Sequence, residues 1–301
     1  MDKICVYLDL LGFSNYMNTN FEDAMLLVEN YQNILQMGFS VGDDEFNSFS
    51  DFLPFSDSIF IVSSKEEANT FIKDISHFLI NCFLFTAHAY THPVNKSKPT
   101  EVKIKNVGYN IEKQNVEVKE IEKNWYPTIF KGGVSFGDVE TFSQQGLHDK
   151  QFFNQRNLAG KGIVSSVAME KLGRGPRLFT DSTFINLLNT ENRNKFIIGH
   201  NNISEILWPI EVFIEENPID HEMLNSFNKL MDPAINLWKA YEKTPVGEIY
   251  YNLLKLISIS AKHYSILHDS YNFFVEYFRD YLDRNKILHF YESLIDAANF
   301  N

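Results

Sequence analysis

The opening residues carry an unbroken apolar run over residues 4–8, closed by a carboxylate at Asp9 and a turn at Gly12. So short a run, bounded by turn chemistry, predicts a buried strand. The period then changes. Leu27, Tyr31, Ile34 and Leu35 recur at helical spacing and predict a helix over residues 21–37, ended by Gly38 and Gly42-Asp43-Asp44. Residues 46–52 and Ser58–Ser63 read as strands joined by a turn over Leu53-Pro54-Phe55-Ser56-Asp57, which sets Asp57 where the second strand begins. Ala68, Phe71, Ile75, Phe78, Leu79 and Cys82 share one face of a second helix, which is expected to turn into strand over 81–85.

Residues 93–126 read as an inserted β-hairpin, because Val102-Lys103-Ile104-Lys105 and Val116-Glu117-Val118-Lys119 alternate with period two around a turn at Gly108-Tyr109-Asn110. A strand over 128–134 then carries Lys131-Gly132-Gly133 and ends near Gly137. Paired glycines weaken a strand unless something approaches its backbone closely, and a ligand or another subunit would qualify. Residues 139–156 lack a clear period and read as a loop. Gly160-Lys161-Gly162 opens a helix with Val164, Val167, Ala168 and Leu172 expected inward. A short strand over 176–180, a helix capped by Asp181-Ser182, and a last hairpin pairing 196–198 with 206–213 complete the order βαββαββαβ. That is an α+β layout, a mostly antiparallel sheet with helices on one face. Beyond residue 215 three or four helices follow, divided at Pro233 and Pro245; their aromatic stripe of Phe274, Tyr277, Phe278 and Tyr281 reads as core or subunit interface, not as a base-stacking platform.

Composition narrows the function classes. At 301 residues, 44% hydrophobic and 15% aromatic, the chain buries a large core and is not disordered. With 27 basic against 39 acidic residues its charge of −12 argues against duplex nucleic acid and anionic membrane as partners, although a metal-bearing site could still hold one nucleotide. Only Cys5 and Cys82 are present, both in apolar runs, so a reduced, cytoplasmic setting is expected. Asp2 and Lys3 lead directly into strand, and nowhere do eighteen uncharged apolar residues run together, so neither a leader nor a membrane span is expected. His88-Ala89-Tyr90-Thr91-His92 has metal-like spacing but a strand-prone setting without Cys or paired carboxylates, and reads as ordinary histidines.

Candidate chemistry centres on two carboxylates. Asp9 alone is either the cap of the following helix or a ligand beside free N–H groups at a helix start. If the first and third strands are neighbours, Asp57 stands beside it. Aspartates so paired suit two divalent cations about 3.5–4 Å apart, which clamp the attacking and leaving oxygens of an in-line phosphoryl transfer.

With these residues the chain resembles the class III nucleotidyl cyclases, the adenylate/guanylate cyclase catalytic domain. The carriers are Leu8-Asp9-Leu10-Leu11-Gly12-Phe13, Phe55-Ser56-Asp57-Ser58-Ile59-Phe60 and Lys131-Gly132-Gly133-Val134-Ser135-Phe136-Gly137, followed by residues 162–169 where that family has its transition-state helix. The details resemble the pyrimidine (uridylate/cytidylate) cyclases of the bacterial Pycsar anti-phage system. Leu53 and Ala159 stand where adenine-reading cyclases carry lysine and aspartate, and neither makes those contacts. The family's helix asparagine and arginine align with Ser166 and Glu170, and a glutamate cannot stabilise developing negative charge; Lys131, Arg156, Lys161 and Arg177 are the cations available instead.

The resemblance implies a ferredoxin-like cyclase domain over residues 1–213 and a helical extension over 214–301. It implies two Mg²⁺ or Mn²⁺ ions on Asp9, Asp57 and the Leu10 carbonyl, and triphosphate held near Gly12 and Phe13, with Ser56, Lys131 and Arg177 as further substrate contacts. It implies conversion of UTP or CTP to the 3′,5′-cyclic monophosphate and pyrophosphate, a homodimer with sites at its interface, and a separate effector that senses the product. Two alternatives stand beside it: a catalytically silent nucleotide- or partner-binding domain, and an adenylate or guanylate cyclase.

Overall fold

The computed structural model describes residues 1–19, 21–40, 47–91, 101–110, 115–124, 127–148, 151–200, 203–213 and 221–296. Strand β1 (Asp2–Leu10) is followed by a short helix α1 (Phe13–Thr19), by α2 (Phe21–Ser40), by the hairpin β2 (Asp51–Phe55) and β3 (Ser58–Ser63), and by α3 (Ala68–Thr91). Two further hairpins come next, β4 (Glu101–Asn110) with β5 (Asn115–Asn124), and, after β6 (Phe130–Asp138), β7 (Glu140–His148) with β8 (Gln151–Ala159). Then follow α4 (Lys161–Glu170), β9 (Leu178–Thr180), α5 (Ser182–Ile185), α6 (Thr190–Phe196), β10 (Ile197–His200) and β11 (Ile203–Ile206). The chain closes with α7 (His221–Tyr241), α8 (Gly247–Leu267), α9 (Tyr271–Arg284) and α10 (Tyr291–Ile295).

Seven strands form one sheet in the order β10-β11-β9-β6-β1-β3-β2, antiparallel at every pair except β6 with β9. The architecture is α+β. Because successive strand residues point to opposite faces, Ile4, Val6, Leu8 and Leu10 of β1 join Ile59 and Ile61 of β3 in the main core, against α2, α3 and the C-terminal helices. Phe130 of β6 stacks on Phe78 of α3, ring centroids 6.0 Å apart, and meets Tyr31 of α2 edge-on. The opposite face carries Cys5 and Val62 in a smaller cluster with Val139 and Ile163, beneath α4. No helix among the described residues is long and apolar enough to cross a membrane.

Several expectations change. The turn into β3 is only Ser56 and Asp57; β2 begins at Asp51 and runs through Pro54, tolerated because β2 is the edge strand and needs no ladder N–H there. Ser56 takes φ of 54° to close this two-residue turn. Residues 81–85 stay helical, since α3 continues to Thr91; His88 therefore lies on a helix, and His92 lies outside the described residues. Gly108-Tyr109-Asn110 are strand, paired with 115–117, so the expected turn does not lie there. Residues 140–148 and 151–156, expected as loop, are strand in the β7–β8 hairpin, whose polar residues give no apolar face for a period to reveal. Pro233 sits inside α7 and divides nothing. The last hairpin pairs Ile197–His200 with Ile203–Ile206, and residues 208–213 form a 3-10 turn.

The largest correction concerns α4. Its buried residues are Gly162, Ser166 and Glu170, one per turn, whereas Val164 is 71% exposed, Ala168 is exposed and Leu172 just beyond is 40% exposed. The helix backbone lies directly on β6: a Cβ on Gly133 would overlap the Ser166 carbonyl oxygen and sit 2.5 Å from Met169 Cβ. What approaches the paired glycines is therefore a helix of the same chain. So close an approach demands small or polar residues on the inner face, which inverts the usual pattern.

In the C-terminal region α7 packs on α3 and α8 on the 3-10 turn at Trp208–Phe213. Phe227 lies amid Phe274, Tyr277, Phe278 and Tyr281 at centroid distances of 5.5–6.3 Å, so the aromatic stripe is core.

Candidate active site

The register of three central strands brings the two aspartates to one end of the sheet. Asp9 stands opposite Ser58 of β3 on one side and Lys131 of β6 on the other. Asp57 occupies the turn just before Ser58, and its backbone carbonyl accepts a hydrogen bond of 2.9 Å from the Leu10 N–H. Leu10 thus adjoins Asp57, and Gly12, with φ of 87°, turns the chain into α1 through a conformation glycine adopts without strain. Phe13, the first residue of α1, is buried. Ser56 sits beside Asp57, its carbonyl accepting the Tyr31 hydroxyl at 2.7 Å.

A polar chain crosses the α4 face of the sheet. The Tyr7 hydroxyl and Ser58 Oγ lie 2.9 Å apart; Ser58 Oγ donates to Asp9 Oδ1 at 3.2 Å. Lys131 Nζ lies 3.3 Å from Asp9 Oδ2 and also pairs with Glu170 Oε1 on the inner face of α4. Glu170 is buried, while the side chains of Asp9 and Lys131 remain about a quarter exposed (25% and 28%), so this end of the network faces solvent.

Electrostatics here is one of crowded acids and a single bridging ammonium. Burial raises the Asp57 carboxyl above the ordinary range; its own backbone N–H and Lys131 lower it, and the charge of Asp9 raises it further. For Lys131 burial opposes the charge, but the hydrogen bond and charge of Glu170, with those of Asp9, outweigh it and hold the ammonium above the usual lysine value. The Tyr7 phenol is raised, first by burial, with Asp9, Glu170 and Asp57 adding to it against the Ser58 hydrogen bond.

The donor set suits a small hard cation. Mg²⁺ is commonly held by one or two carboxylates with substrate phosphates and water supplying the rest. Asp9 and Asp57 offer that number at one solvent-facing end, and the raised Asp57 carboxyl marks a place where added positive charge would be welcome. Among the described residues no cluster of three or more His, Cys, Asp or Glu side chains is placed to enclose a metal without substrate.

Of the residues singled out in the sequence, the structure gathers Asp9, Leu10, Ser56, Asp57 and Lys131, with Gly12 and Phe13 at the following turn. It does not gather Arg177, whose guanidinium is buried against Glu205, Nε to Oε1 3.0 Å and Nη2 to Oε2 2.7 Å, and lies 4.5 Å from the Phe179 ring centroid. Arg156 pairs instead with Asp51 at 2.8 Å, and Lys161 is exposed at the start of α4. Ser166 and Glu170, placed above at the transition-state positions, point to their own sheet: Ser166 Oγ is 3.6 Å from Cys5 Sγ, whose thiol burial pushes up to about 12. Tyr7 and Ser58 are participants that sequence reading did not single out, and Glu170 was singled out only at the position of a helix arginine, not as the partner of Lys131. Tyr7 was findable, being two residues before Asp9 and therefore on its face; the Glu170–Lys131 pairing was not, without the inverted helix.

No protein-family model matches the chain, and no curated protein matches it in sequence. Solved structures do. A bacterial light-regulated adenylyl cyclase is 14% identical, over 68% of this chain and 50% of its own, with a TM-score of 0.41. The guanylyl cyclase Cya2 is 11% identical over 69% of this chain and 92% of its own, TM-score 0.40. The adenylyl cyclase CyaB from P. aeruginosa is 10% identical over 68% and 93%, TM-score 0.39. The chain thus spans half the length of the first of these. What the site can do follows from its own residues.

Proposed function

We propose that this protein is a divalent-metal-dependent nucleotidyl cyclase, acting on a pyrimidine nucleoside triphosphate. The observation that carries this is the meeting of Asp9 and Asp57 at one solvent-facing end of β1 and β3, with the Gly12 turn directly beyond. Bound divalent cations would neutralise charge on the triphosphate and lower the pKa of the ribose 3′-hydroxyl. Asp9 and Asp57 would hold those ions, assisted by the Leu10 carbonyl. Backbone N–H groups at Gly12 and Phe13 would receive the β- and γ-phosphates, and Lys131 would contribute positive charge from the floor of the site. Attack of the 3′-oxygen on the α-phosphorus breaks the bond to the β-phosphate oxygen and yields the cyclic monophosphate and pyrophosphate. The preference for UTP or CTP rests on the sequence resemblance at Leu53 and Ala159.

In this reading residues 1–213 carry the chemistry and 214–301 are a helical extension. A second copy would cover the apolar side of α4, where Val164 is 71% exposed, and Phe142 of the β7–β8 hairpin, 45% exposed. The product would act through a separate sensing effector in defence against phage, within the cytoplasm.

A second reading is favoured by one observation: the outward positions in the middle of α4 are Val164 and Ala168, with cations only at its two ends, Lys161 and Lys171, which suits a domain that binds nucleotide without turnover. Incubation with Mn²⁺ and each of the four nucleoside triphosphates, followed for pyrophosphate and cyclic product, separates these readings. Cyclic UMP or CMP is the expected product. Product from ATP or GTP alone would overturn the pyrimidine preference, and nucleotide binding without any product would establish the silent domain.

A further inference from the structure

Lys131 is shared between two carboxylates with different duties. Asp9 Oδ2 lies 3.3 Å from its Nζ at the solvent-facing end, and Glu170 receives the same ammonium from the buried side beneath α4. Opposite Asp9 in register, Lys131 cannot leave the neighbourhood, but its long side chain lets the head group move between partners. A divalent cation entering on Asp9 would face that ammonium at contact distance, where like charges repel steeply.

We propose that Lys131 is a tethered competitor for the first divalent cation: it holds Asp9 when the site is empty of metal and withdraws to Glu170 when metal enters. This rests on the reading that Asp9 and Asp57 bind metal. The ammonium then offsets the charge of Asp9 in the absence of metal, so that tight metal loading waits for the triphosphate, whose oxygens compensate the added charge. Glu170 is a positioning residue in this arrangement, acting through Lys131.

Mn²⁺ binding to the full chain without nucleotide, followed by loss of the free-ion electron paramagnetic resonance signal, tests it. The informative variant is Lys131→Met combined with Glu170→Gln, which leaves the site's net charge unchanged and strands no buried charge. Competition requires this double variant to bind Mn²⁺ about fivefold more tightly than the native chain, the scale of a partly exposed ion pair. It also requires Glu170→Gln alone to bind more weakly, because the ammonium then has only Asp9. A double variant within twofold of native, or a tighter-binding Glu170→Gln, would overturn the competition while leaving the metal site intact. Native protein whose Mn²⁺ binding is absent, or indifferent to Asp9→Asn and Asp57→Ala, would overturn the metal reading itself and this inference with it.

Discussion

Gly133 sits under α4 in the middle of β6, and adding one methyl group there tests how the site is assembled. A Cβ at this position would overlap the Ser166 carbonyl oxygen and lie 2.5 Å from Met169 Cβ and 2.8 Å from the Glu170 nitrogen. Carbon contacts are comfortable only near 3.5 Å. Two of the three neighbours are helix backbone, which no rotamer change can move, so α4 must lift, and Glu170 must lift with it. Gly137, four residues on and on the same face, is a built-in control: its Cβ would lie 3.3 Å from the Gly162 nitrogen and 3.5 Å from its Cα, close to ordinary contact. Gly133→Ala is expected to cost about 2–3 kcal/mol, the upper part of the overpacking range. Gly137→Ala is expected to cost under about 1 kcal/mol, because alanine's smaller loss of chain freedom on folding offsets part of the crowding. In urea unfolding followed by circular dichroism, with a slope of about 3 kcal/mol/M for a chain of this size, the first change lowers the midpoint by roughly 0.7–1 M. A Gly133→Ala midpoint no lower than that of Gly137→Ala would refute the packing of α4 on β6 described above.

The Arg177–Glu205 pair gives a second test: Arg177→Met leaves Glu205 buried without its guanidinium and is expected to cost about 3–5 kcal/mol, most of it recovered when Glu205→Leu is added. Chemical denaturation of the two variants checks this, and stability retained with nucleotide affinity lost would instead restore Arg177 to the substrate. Asp57 supplies a pH test. Its carboxyl is raised chiefly by burial and, among the charges, by Asp9, so protonation favours the folded state and stability falls as pH rises through the window just above ordinary carboxylate values. In chelator, Asp57→Asn is therefore expected to melt above the native chain at pH 7, with the gap closing below that window. Added Mn²⁺ should invert the order, since only the native chain gains binding energy, and thermal shift in the two buffers reads both.

How much of this was legible in the sequence depended on which period a segment obeyed. Ser58–Ser63 read true because its side chains face a core on one side and α4 on the other. The C-terminal helices were equally plain, since Phe227, Leu253 and Phe274 are fully buried on faces of ordinary helical spacing. The β7–β8 hairpin was hidden: Gln144 opposes Gln155 and Ser143 opposes Arg156, so no apolar alternation marks the strands. Pro54 suggested a turn because a proline in a strand is tolerated only at an edge, and edge position is a property of the sheet. The candidate site was half visible. Asp9 and Asp57 announced themselves by position at strand ends, whereas the ammonium bridge from Asp9 to Glu170 needed a helix whose polar residues point inward. Periodicity had assigned that inward face to Val164 and Ala168.

The most direct test of the central claim is an anomalous scattering map from crystals grown with Mn²⁺ and a non-reactive UTP or CTP analogue. Two peaks about 3.5–4 Å apart between the Asp9 and Asp57 carboxylates, with the Lys131 ammonium drawn off toward Glu170, are the expected result. Mn²⁺ bound elsewhere or nowhere, with Lys131 still seated on Asp9, would contradict it.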